Sequence, residues 1–524
     1  MTRSNVTSAL ASKQLEQLAD TLIQHQLYGG PTQPNAREQA TPSESSTALP
    51  WRLAAAPLTL PEHTYQQLEA IGPLLKRFMQ AQAQIYRWSL NGQAPAWVAA
   101  LCDAGKPEAL IQYSRMNRFK AHLPPVIRPD LLLGEDGQLY LCEIDAIPGG
   151  IGITAALGQA YAQAGFPVQG HLLESSGSSV PIADADMVSA FAALLQGVLS
   201  SSKSPEPASF NRPLHVALVI SDEAADYAAE FGWLAAQINH HPQYQSKLEL
   251  QLVHPKALGL MQHQLVAALG DGRMWPIDGV YRFFELFDLP NIANIELLQF
   301  AQKKGWVTCL PPFKPVYEEK LWLALIHHPA LQLLWRKALT KDDITALQKL
   351  IPQGWILDPA PLPPQAAIPG LLDAEGQALQ SFMQLAELSQ QQRQLVVKPS
   401  GFSPLAWGSR GVAIGHDMAQ AQWKDALTHA LAAFNQTLHV LQRFTPAAAV
   451  PVQVATKSYE VIEQPMRIRL CPYYFNGSAS TQKNAENPAV ETLRWAGTLA
   501  TACPIDKKLI HGMADAVLMP LMAQ

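Results

Sequence analysis

Residues 128 to 145 restrict the fold of this chain more than any other segment. Two apolar runs flank Asp136-Gly137, a dipeptide that is typical of the turn between two antiparallel strands. A two-residue turn places Asp130 opposite Glu143, whereas a four-residue loop places Arg128 opposite Glu143. Because side chains alternate faces along a strand, both registers put four charged residues on one face of the hairpin: Arg128, Asp130, Glu143 and Asp145.

Three carboxylates on one face repel each other unless a positive charge neutralises them. A divalent cation with oxygen ligands would do this, and an arginine beside the cation could hold a phosphate. The alternative is a solvated acidic hairpin that Arg128 neutralises. The glycine-rich segment 148–152 directly follows the hairpin, and its backbone can turn sharply and approach a ligand closely. The sequence therefore indicates a site for a metal ion and a phosphate.

The composition is that of a soluble globular protein, with 48% hydrophobic and 15% charged residues among 524. The length accommodates several domains, and the net charge of −5 argues against a nucleic-acid partner. No apolar run reaches the roughly 18 residues of a membrane span, and the first 49 residues contain no signal-peptide core. The five cysteines are scattered and form no CxxC pair. The cysteine pattern predicts reduced, mostly buried thiols, a cytoplasmic location and no zinc site. The lack of a long apolar run predicts no membrane partner.

We expect four regions along the chain. Residues 1–48 form a helix and a flexible connector. Residues 49–174 contain a helix over 65–89 and then the hairpin. Residues 175–300 form a small α/β domain, and residues 301–524 bind the nucleotide.

The small domain shows alternating strand and helix patterns. Apolar runs at 215–220, 248–253 and 279–282 predict strands of a covered parallel sheet, and 224–238 predicts a helix after an N-cap at Ser221. The implied order is β-α-β-α-β, an open α/β domain. No GxGxxG motif follows the first strand, so a dinucleotide cofactor is not expected.

A lysine and a glycine-rich loop in the last region indicate a phosphate-binding site. Lys398 follows an apolar strand pattern, where its ammonium is partly desolvated and needs an anion. Ten residues later, Gly408-Ser409-Arg410-Gly411 offers backbone N–H groups that can converge on a phosphate. The alternatives are a solvent-directed side chain for Lys398 and a solvated sheet face for Arg467 and Arg469.

In combination these motifs resemble the ATP-grasp fold. They include a lysine near the start of a helix (Lys320) and Leu441-Gln442-Arg443-Phe444 on a strand. The acidic hairpin precedes them all, an order similar to the circularly permuted ATP-grasp of glutathionylspermidine synthases. In that family an Arg-x-Asp and a Glu-x-Asn motif bind the metal ions and the phosphates. Their equivalents here are Arg128-Pro129-Asp130 and Glu143-Ile144-Asp145, with aspartate in place of the family's asparagine.

The resemblance implies a mixed α+β and α/β protein: a permuted ATP-grasp fold, a small open α/β domain before it and a helical N-terminal region. It also implies a ligase that joins a small-molecule carboxylate to an amine through an acylphosphate, with ATP and Mg²⁺ as cofactors. Arg128 would stabilise the transferred phosphoryl group, and Asp130, Glu143 and Asp145 would bind Mg²⁺. The expected ATP-binding residues are Lys320 and Lys398 for the phosphates, Gly408, Ser409, Arg410 and Gly411 as a closing loop, and Gln442, Arg443 and Phe444 around the adenine.

The substrate pocket and the activity each have alternatives. Candidates for substrate contacts, which could equally be ordinary surface charges, are Arg115, Arg118, Arg282, Glu285, Arg467 and Arg469. The main alternative activity is an inactive ATP-binding or sensor protein that keeps the fold. A metal-dependent phosphohydrolase ranks third, because it would use the acidic hairpin without needing the lysine and the loop.

Overall fold

The structure, a computed structural model, describes residues 10–28, 51–170, 186–201, 212–406, 408, 410–477, 493–510 and 515–524. It is a mixed α/β fold with several sheets. The connector expected before residue 49 lies outside the described residues. The helices are α1 (Ser12–Gln24), α2 (Glu62–Leu90), α3 (Ala96–Asp103), α4 (Glu108–Ser114), α5 (Ile151–Gln163), α6 (Met187–Ser201), α7 (Ala228–Asn239), α8 (Ile295–Lys304), α9 (Leu321–Leu325), α10 (Gln332–Ala338), α11 (Lys341–Leu350) and α12 (Gln420–Ala432).

The strands form four sheets within the described part of the chain. In chain order they are β1 (Arg52–Leu53), β2 (Val126–Leu133), β3 (Leu139–Asp145), β4 (Leu214–Ile220), β5 (Leu248–Val253), β6 (Leu258–Met261), β7 (Gln264–Ala268), β8 (Met274–Pro276), β9 (Gly279–Phe283), β10 (Thr308–Leu310), β11 (Gly354–Ile356), β12 (Leu395–Pro399), β13 (Ala413–Ile414), β14 (His439–Arg443), β15 (Ala449–Ala455), β16 (Val461–Asn476), β17 (Leu493–Pro504) and β18 (Val517–Pro520).

The acidic hairpin, β2 and β3, is the edge of a seven-stranded sheet. The strand order is β1-β18-β17-β16-β2-β3, and β15 also pairs with β16. Strand β16 runs antiparallel to β2, with Arg469 opposite Leu132. Residues from the far end of the chain therefore lie directly beside the hairpin, although more than 300 residues separate the two strands in sequence.

The register of the hairpin differs from both expected registers near its turn. Asp130 pairs with Glu143, but the ladder shifts by one residue after Asp130, so that Leu131 pairs with Leu141. Cys142 is the extra residue of this bulge. The turn has three residues, 135–137, closed by the Gly134 N–H, which donates to the Gln138 carbonyl at 2.9 Å. Gly137 has a φ of +74°, as the last position of such a three-residue turn requires.

A four-stranded parallel sheet has the order β10-β9-β4-β5. The three strands expected in the small domain are confirmed, and β10 extends the sheet at one edge. From β4 the chain passes first to β5 on one side and later to β9 on the other. The order therefore reverses between β4 and β9, and in open α/β sheets a crevice opens at the carboxyl ends of such strands.

Two details of the small domain differ from the expectation. The helix after β4 is preceded by a 3₁₀ turn over Asp222–Tyr227, so that α7 starts at residue 228. Between β5 and β9 the chain forms an antiparallel sheet, β6-β7-β8, and not a second helix. Strands β6 and β7 are joined by a two-residue turn at Gln262 and His263, both of which have positive φ. A turn with positive φ at both positions matches the twist of paired antiparallel strands, so it favours a hairpin here.

The fourth sheet holds the strand lysine. Its order is β11-β14-β12-β13, and its strands are antiparallel. Gln442 on β14 lies opposite Val396 on β12, and α12 covers the sheet through the fully buried Trp423. The strands predicted around Lys398 and Gln442 are therefore confirmed.

The main core lies between the seven-stranded sheet, α2 and the helices that follow residue 320. Helix α2 confirms the prediction for 65–89, and it packs Phe78 against Trp335 with ring centroids 5.5 Å apart.

All five cysteines are free thiols, and all but Cys142 are buried, as expected. Within the described residues, no helix combines the length and apolar character needed to cross a membrane.

Candidate active site

Three cations meet the three carboxylates of the hairpin. Arg128 contacts Asp130 (Nε to Oδ1, 3.1 Å) and Asp145 (Nη2 to Oδ2, 2.8 Å). Arg469 Nη1 on β16 lies 2.8 Å from the other oxygen of Asp130. Lys320 Nζ, just before α9, lies 2.6 Å from Glu143 Oε1. Repulsion among the carboxylates, which was expected without a metal, is therefore offset by side chains from three separate segments.

Asp130 is the most enclosed of the three carboxylates. Its side chain is 6% exposed, and the Cys471 thiol also donates to it at 3.4 Å. Burial alone would raise the pKa of Asp130, but the guanidinium groups of Arg128 and Arg469 outweigh burial and hold that pKa below its ordinary value. Asp130 is therefore an anion that fixes two arginines.

Asp145 connects the hairpin to the glycine-rich segment. Its Oδ1 accepts a hydrogen bond from the Ile147 N–H at 2.8 Å. Burial raises the pKa of Asp145 above its ordinary value, although Arg128 opposes the shift. The Gly149 carbonyl accepts from Arg128 Nη1 at 3.3 Å and from the Tyr473 hydroxyl at 2.7 Å. The segment thus holds Arg128 in place through its backbone.

Glu230 on α7 is a buried residue that the sequence patterns did not single out. Its carboxylate accepts from the Gly150 N–H at 2.7 Å and from the Ile153 N–H at 3.3 Å, at the start of α5. Gly150 has a φ of +86°, and a Cβ there would lie 2.5 Å from the Tyr473 hydroxyl, so glycine is required. Burial raises the pKa of Glu230 to about 7. The available signal was that Glu230 is the one acidic residue of a largely apolar helix.

Two lysines reach the hairpin from the nucleotide-binding region. Lys398 Nζ donates to Gln442 Oε1 at 2.9 Å and to the carbonyl of the bulge residue Cys142 at 3.4 Å. Lys320 Nζ donates to the Ala406 carbonyl at 3.0 Å in addition to its ion pair with Glu143. Lys320, Lys398 and Gln442 are thus brought together with the acidic face.

The loop from Ser400 to Gly411 leaves β12 and passes over Lys320. Ser400 donates to Glu319, which forms a 2.5 Å ion pair with Lys106 that is almost fully buried. The backbone of Gly401 lies so close to Glu318 that a Cβ on residue 401 would be 2.3 Å from the Glu318 carbonyl oxygen. Gly408 has a φ of +63°, and the Gly411 N–H donates to the Leu405 carbonyl. Ser409 and Trp407 lie outside the described residues.

A cleft of about 330 Å³ connects the hairpin, the loop and the carboxyl ends of β4 and β9. Burial and the nearby Glu318 and Asp145 raise the pKa of Glu285 in this cleft well above its ordinary value. Burial, with Glu223 nearby, raises the pKa of Asp288 to about 6. Four aromatic side chains also line the cleft. The lining residues are Asp145, Ile147, Gly149, Glu223, Ala224, Tyr227, Phe283, Phe284, Glu285, Phe287, Asp288, Pro404 and Arg410.

Several candidate substrate residues have other partners. Arg115 pairs with Asp103 at 2.5 Å and donates to the Tyr86 hydroxyl. Arg118 lies over the Phe119 ring. Arg282 is fully buried, where it donates to the carbonyls of Pro311, Pro312 and Phe284 and pairs with Glu318 at 2.8 Å. None of these three guanidinium groups lines the cleft.

Three further candidates lie away from the hairpin face. Arg443 is exposed and donates to the Gly370 carbonyl at 2.8 Å. Phe444 stacks edge-on against His416 with ring centroids 4.4 Å apart. Arg467 Nη1 donates to the Lys507 carbonyl at 3.1 Å. Of the two β16 arginines, it is therefore Arg469 that contacts the hairpin.

Within the described part of the chain, no three His, Cys, Asp or Glu side chains form a ready group of metal ligands. The chemistry of the hairpin still fits Mg²⁺, which proteins often hold with one or two carboxylates while substrate phosphates supply other oxygens. Glu143 and Asp145 are 37% and 24% exposed and can offer such oxygens, whereas Asp130 is enclosed by two arginines.

No family model and no curated protein matches this chain. A solved structure described as a glutathione synthetase-like effector from Globodera pallida, in its apo form, aligns over 98% of this chain and 96% of its own, with 11% identity and a TM-score of 0.51. A protein named "Putative gamma-glutamylcysteine synthetase" from Methylobacillus flagellatus KT aligns over 82% and 87%, with 10% identity and a TM-score of 0.33, which is too low to support an argument. The first likeness shows that the chain shares a glutathione synthetase-like fold.

Proposed function

We propose that this chain is an ATP-dependent, ADP-forming carboxylate–amine ligase of the permuted ATP-grasp type. The observation that carries the proposal is the convergence of Lys320 and Lys398 on the acidic hairpin, from two separate segments. Catalysis of phosphoryl transfer consists largely of placing cations and metal ligands around the phosphates, so this arrangement suits it.

In this proposal the residues have distinct roles. The ATP phosphates accept hydrogen bonds from Lys320 and Lys398, and the base lies along β14 near Gln442. Arg128, held by Asp130 and Asp145, stabilises the phosphoryl group as it passes to the substrate carboxylate. Mg²⁺ would be held by Glu143 and Asp145 and would neutralise charge on the phosphates. Loop 400–411 excludes water, because water would hydrolyse the acylphosphate.

The cleft at the carboxyl ends of β4 and β9 is the proposed site of the small-molecule substrates. It reaches Asp145 on one side and Arg410 on the other, so a ligand there can lie beside the transferred phosphoryl group. Asp288, whose pKa of about 6 leaves it mostly ionised at neutral pH, favours the amine, and Arg410 favours the carboxylate. The residue ranges 1–48, 49–174, 175–300 and 301–524 remain our proposed division of the chain, and a cytoplasmic location our proposed setting.

An ADP-release assay tests this function. The protein with Mg-ATP is incubated with pooled amino acids, peptides and polyamines, and we expect ADP formation that depends on a carboxylate and an amine together. ADP release that no pool increases would contradict a ligase. Substrate-independent hydrolysis would instead support the phosphohydrolase.

One observation favours an inactive ATP-binding protein as the second candidate. Asp130, Glu143 and Asp145 each already have an arginine or lysine partner, so their mutual repulsion is offset without a metal. A protein that binds Mg-ATP in calorimetry, yet forms no ADP with any substrate pool, would fit this second candidate.

Replacing Lys398 with alanine is expected to weaken ATP binding by about 1.5–3 kcal/mol, the usual contribution of a hydrogen bond to a charged group. Titration calorimetry with Mg-ATP measures this as a rise in Kd of roughly 10- to 150-fold. Lys424→Ala, at an exposed position of α12, is the matched control and should leave Kd unchanged. Equal affinities of the two variants would exclude Lys398 from the nucleotide site.

Mg-ATP is expected to slow backbone hydrogen exchange in residues 400–411. Phosphates that attract Lys320 compete with its bond to the Ala406 carbonyl, and Arg410 can then hold the loop against the nucleotide. Exchange in α12 serves as the internal control and should not change. If exchange in 400–411 is the same with and without nucleotide, the loop does not close over ATP.

A further inference from the structure

A second, larger cavity of about 1560 Å³ lies apart from the hairpin and the glycine-rich loop, with which it shares no lining residue. One wall is the face of α2 that carries Arg77 and Arg87. Another is the turn 118–123, and a third is the β10 edge of the parallel sheet. The end of α10, with Lys337, and the start of α11 also line it.

Positive charge dominates this cavity. Six lining side chains are arginine or lysine and two are aspartate: Arg77, Arg87, Arg118, Lys120, Arg212, Lys337, Asp278 and Asp343. Both aspartates already have partners, since Arg77 lies 2.6 Å from Asp343 and Arg212 lies 2.7 Å from Asp278. The lining therefore has an excess of four positive charges in a chain whose net charge is −5.

A buried lysine lies behind the turn. Lys314 is 6% exposed, and its ammonium donates to the carbonyls of Phe119, Lys120 and His122 at 3.2, 3.3 and 3.0 Å. Burial, with Arg87 nearby, lowers the pKa of Lys314 to about 7. Burial, Lys314 and Arg118 together lower the pKa of His122. The cations around the turn thus repel one another.

We propose that this cavity binds a small molecule with several phosphate or carboxylate groups, held by Arg87, Arg118, Lys120 and Lys337. Arginine and lysine side chains that converge on a concave surface can form charge-assisted hydrogen bonds to such groups. The other lining residues include Leu199, Val307 and Leu310, which can accommodate an organic part of the ligand. The concave shape and the negative net charge of the chain favour a small anion over a nucleic acid.

Titration calorimetry with tripolyphosphate, pyrophosphate and citrate tests the site in the full chain. Polyanions can also occupy the proposed ATP site, so Lys398→Ala is the reference protein. We expect it to bind at least one of the three anions, and we expect Arg87→Gln with Arg118→Gln in the same background to weaken that binding at least tenfold. The comparison between phosphate compounds and citrate identifies the anionic group.

A second pair of substitutions guards against misfolding. Lys120 and Lys337 are exposed, so changing both to glutamine should leave the melting temperature unchanged while still weakening anion binding. Binding that survives both pairs of substitutions, or that Lys398→Ala removes on its own, would overturn the proposal. Failure of all three anions to bind at millimolar concentration would overturn it too, as would binding of an oligonucleotide alone.

Discussion

An Asp130→Asn variant is expected to lose about 3–5 kcal/mol of unfolding free energy, together with its substrate-dependent ADP formation. Asp130 is enclosed between Arg128 and Arg469, and the neutral amide would leave Arg469 without its ion-pair partner. Breaking an enclosed pair from one side has this cost because the remaining charge stays desolvated. Denaturant unfolding of the ligand-free protein measures the loss.

Glu143→Gln is the matched control, since it makes the same change of charge on the same face of the hairpin. Glu143 is 37% exposed, and Lys320 keeps its bond to the Ala406 carbonyl without it. We expect a stability change below about 1 kcal/mol, as for exposed ion pairs, with ADP formation still lost. Equal stability losses in the two variants would show that enclosure by the arginines does not distinguish Asp130.

A Glu230→Gln variant is expected to become more stable relative to the natural protein as pH rises from 5 to 8. Burial raises the pKa of Glu230 from 4.5 to about 7 in the folded protein. Between these values the folded state holds a proton that the unfolded state has released, so the stability of the natural protein falls with rising pH. The relative change is on the order of 2–3 kcal/mol.

Thermal or denaturant unfolding at several pH values measures this difference. Glutamine keeps an oxygen that can accept from the Gly150 N–H, so the fold at the start of α5 should persist. Glu296→Gln, at an exposed position of α8, is the control and should follow the natural protein at every pH. A constant difference between Glu230→Gln and the natural protein would show that Glu230 does not ionise in this range.

The sequence predicted the strands and the face of the hairpin because these depend on local periodicity. Period-two alternation put Arg128, Asp130, Glu143 and Asp145 on one face whichever register applied. The three-residue turn and the bulge at Cys142 were not predicted, since both expected registers assumed a two- or four-residue turn and a regular ladder. That bulge provides the carbonyl that Lys398 reaches.

Only the tertiary structure shows which residues from distant parts of the chain contact each other. Arg467 and Arg469 lie two residues apart on β16, each between apolar residues, yet Arg469 contacts Asp130 while Arg467 contacts the Lys507 carbonyl. Arg282 seemed an equal candidate for substrate binding, and burial among backbone carbonyls gives it a structural role. The sequence around Glu230 did not predict the contact of this residue with the glycine-rich segment.

The sequence by itself determined which residues could share a face and which strands and helices would form, because alternation and helical spacing act over a few residues. Only the tertiary structure decided which cation neutralises which carboxylate. Those pairs join β2, β3, β16 and the start of α9, segments whose approach depends on the packing of the whole chain. It also decided that the excess positive charge of Arg87, Arg118, Lys120 and Lys337 would gather in one cavity.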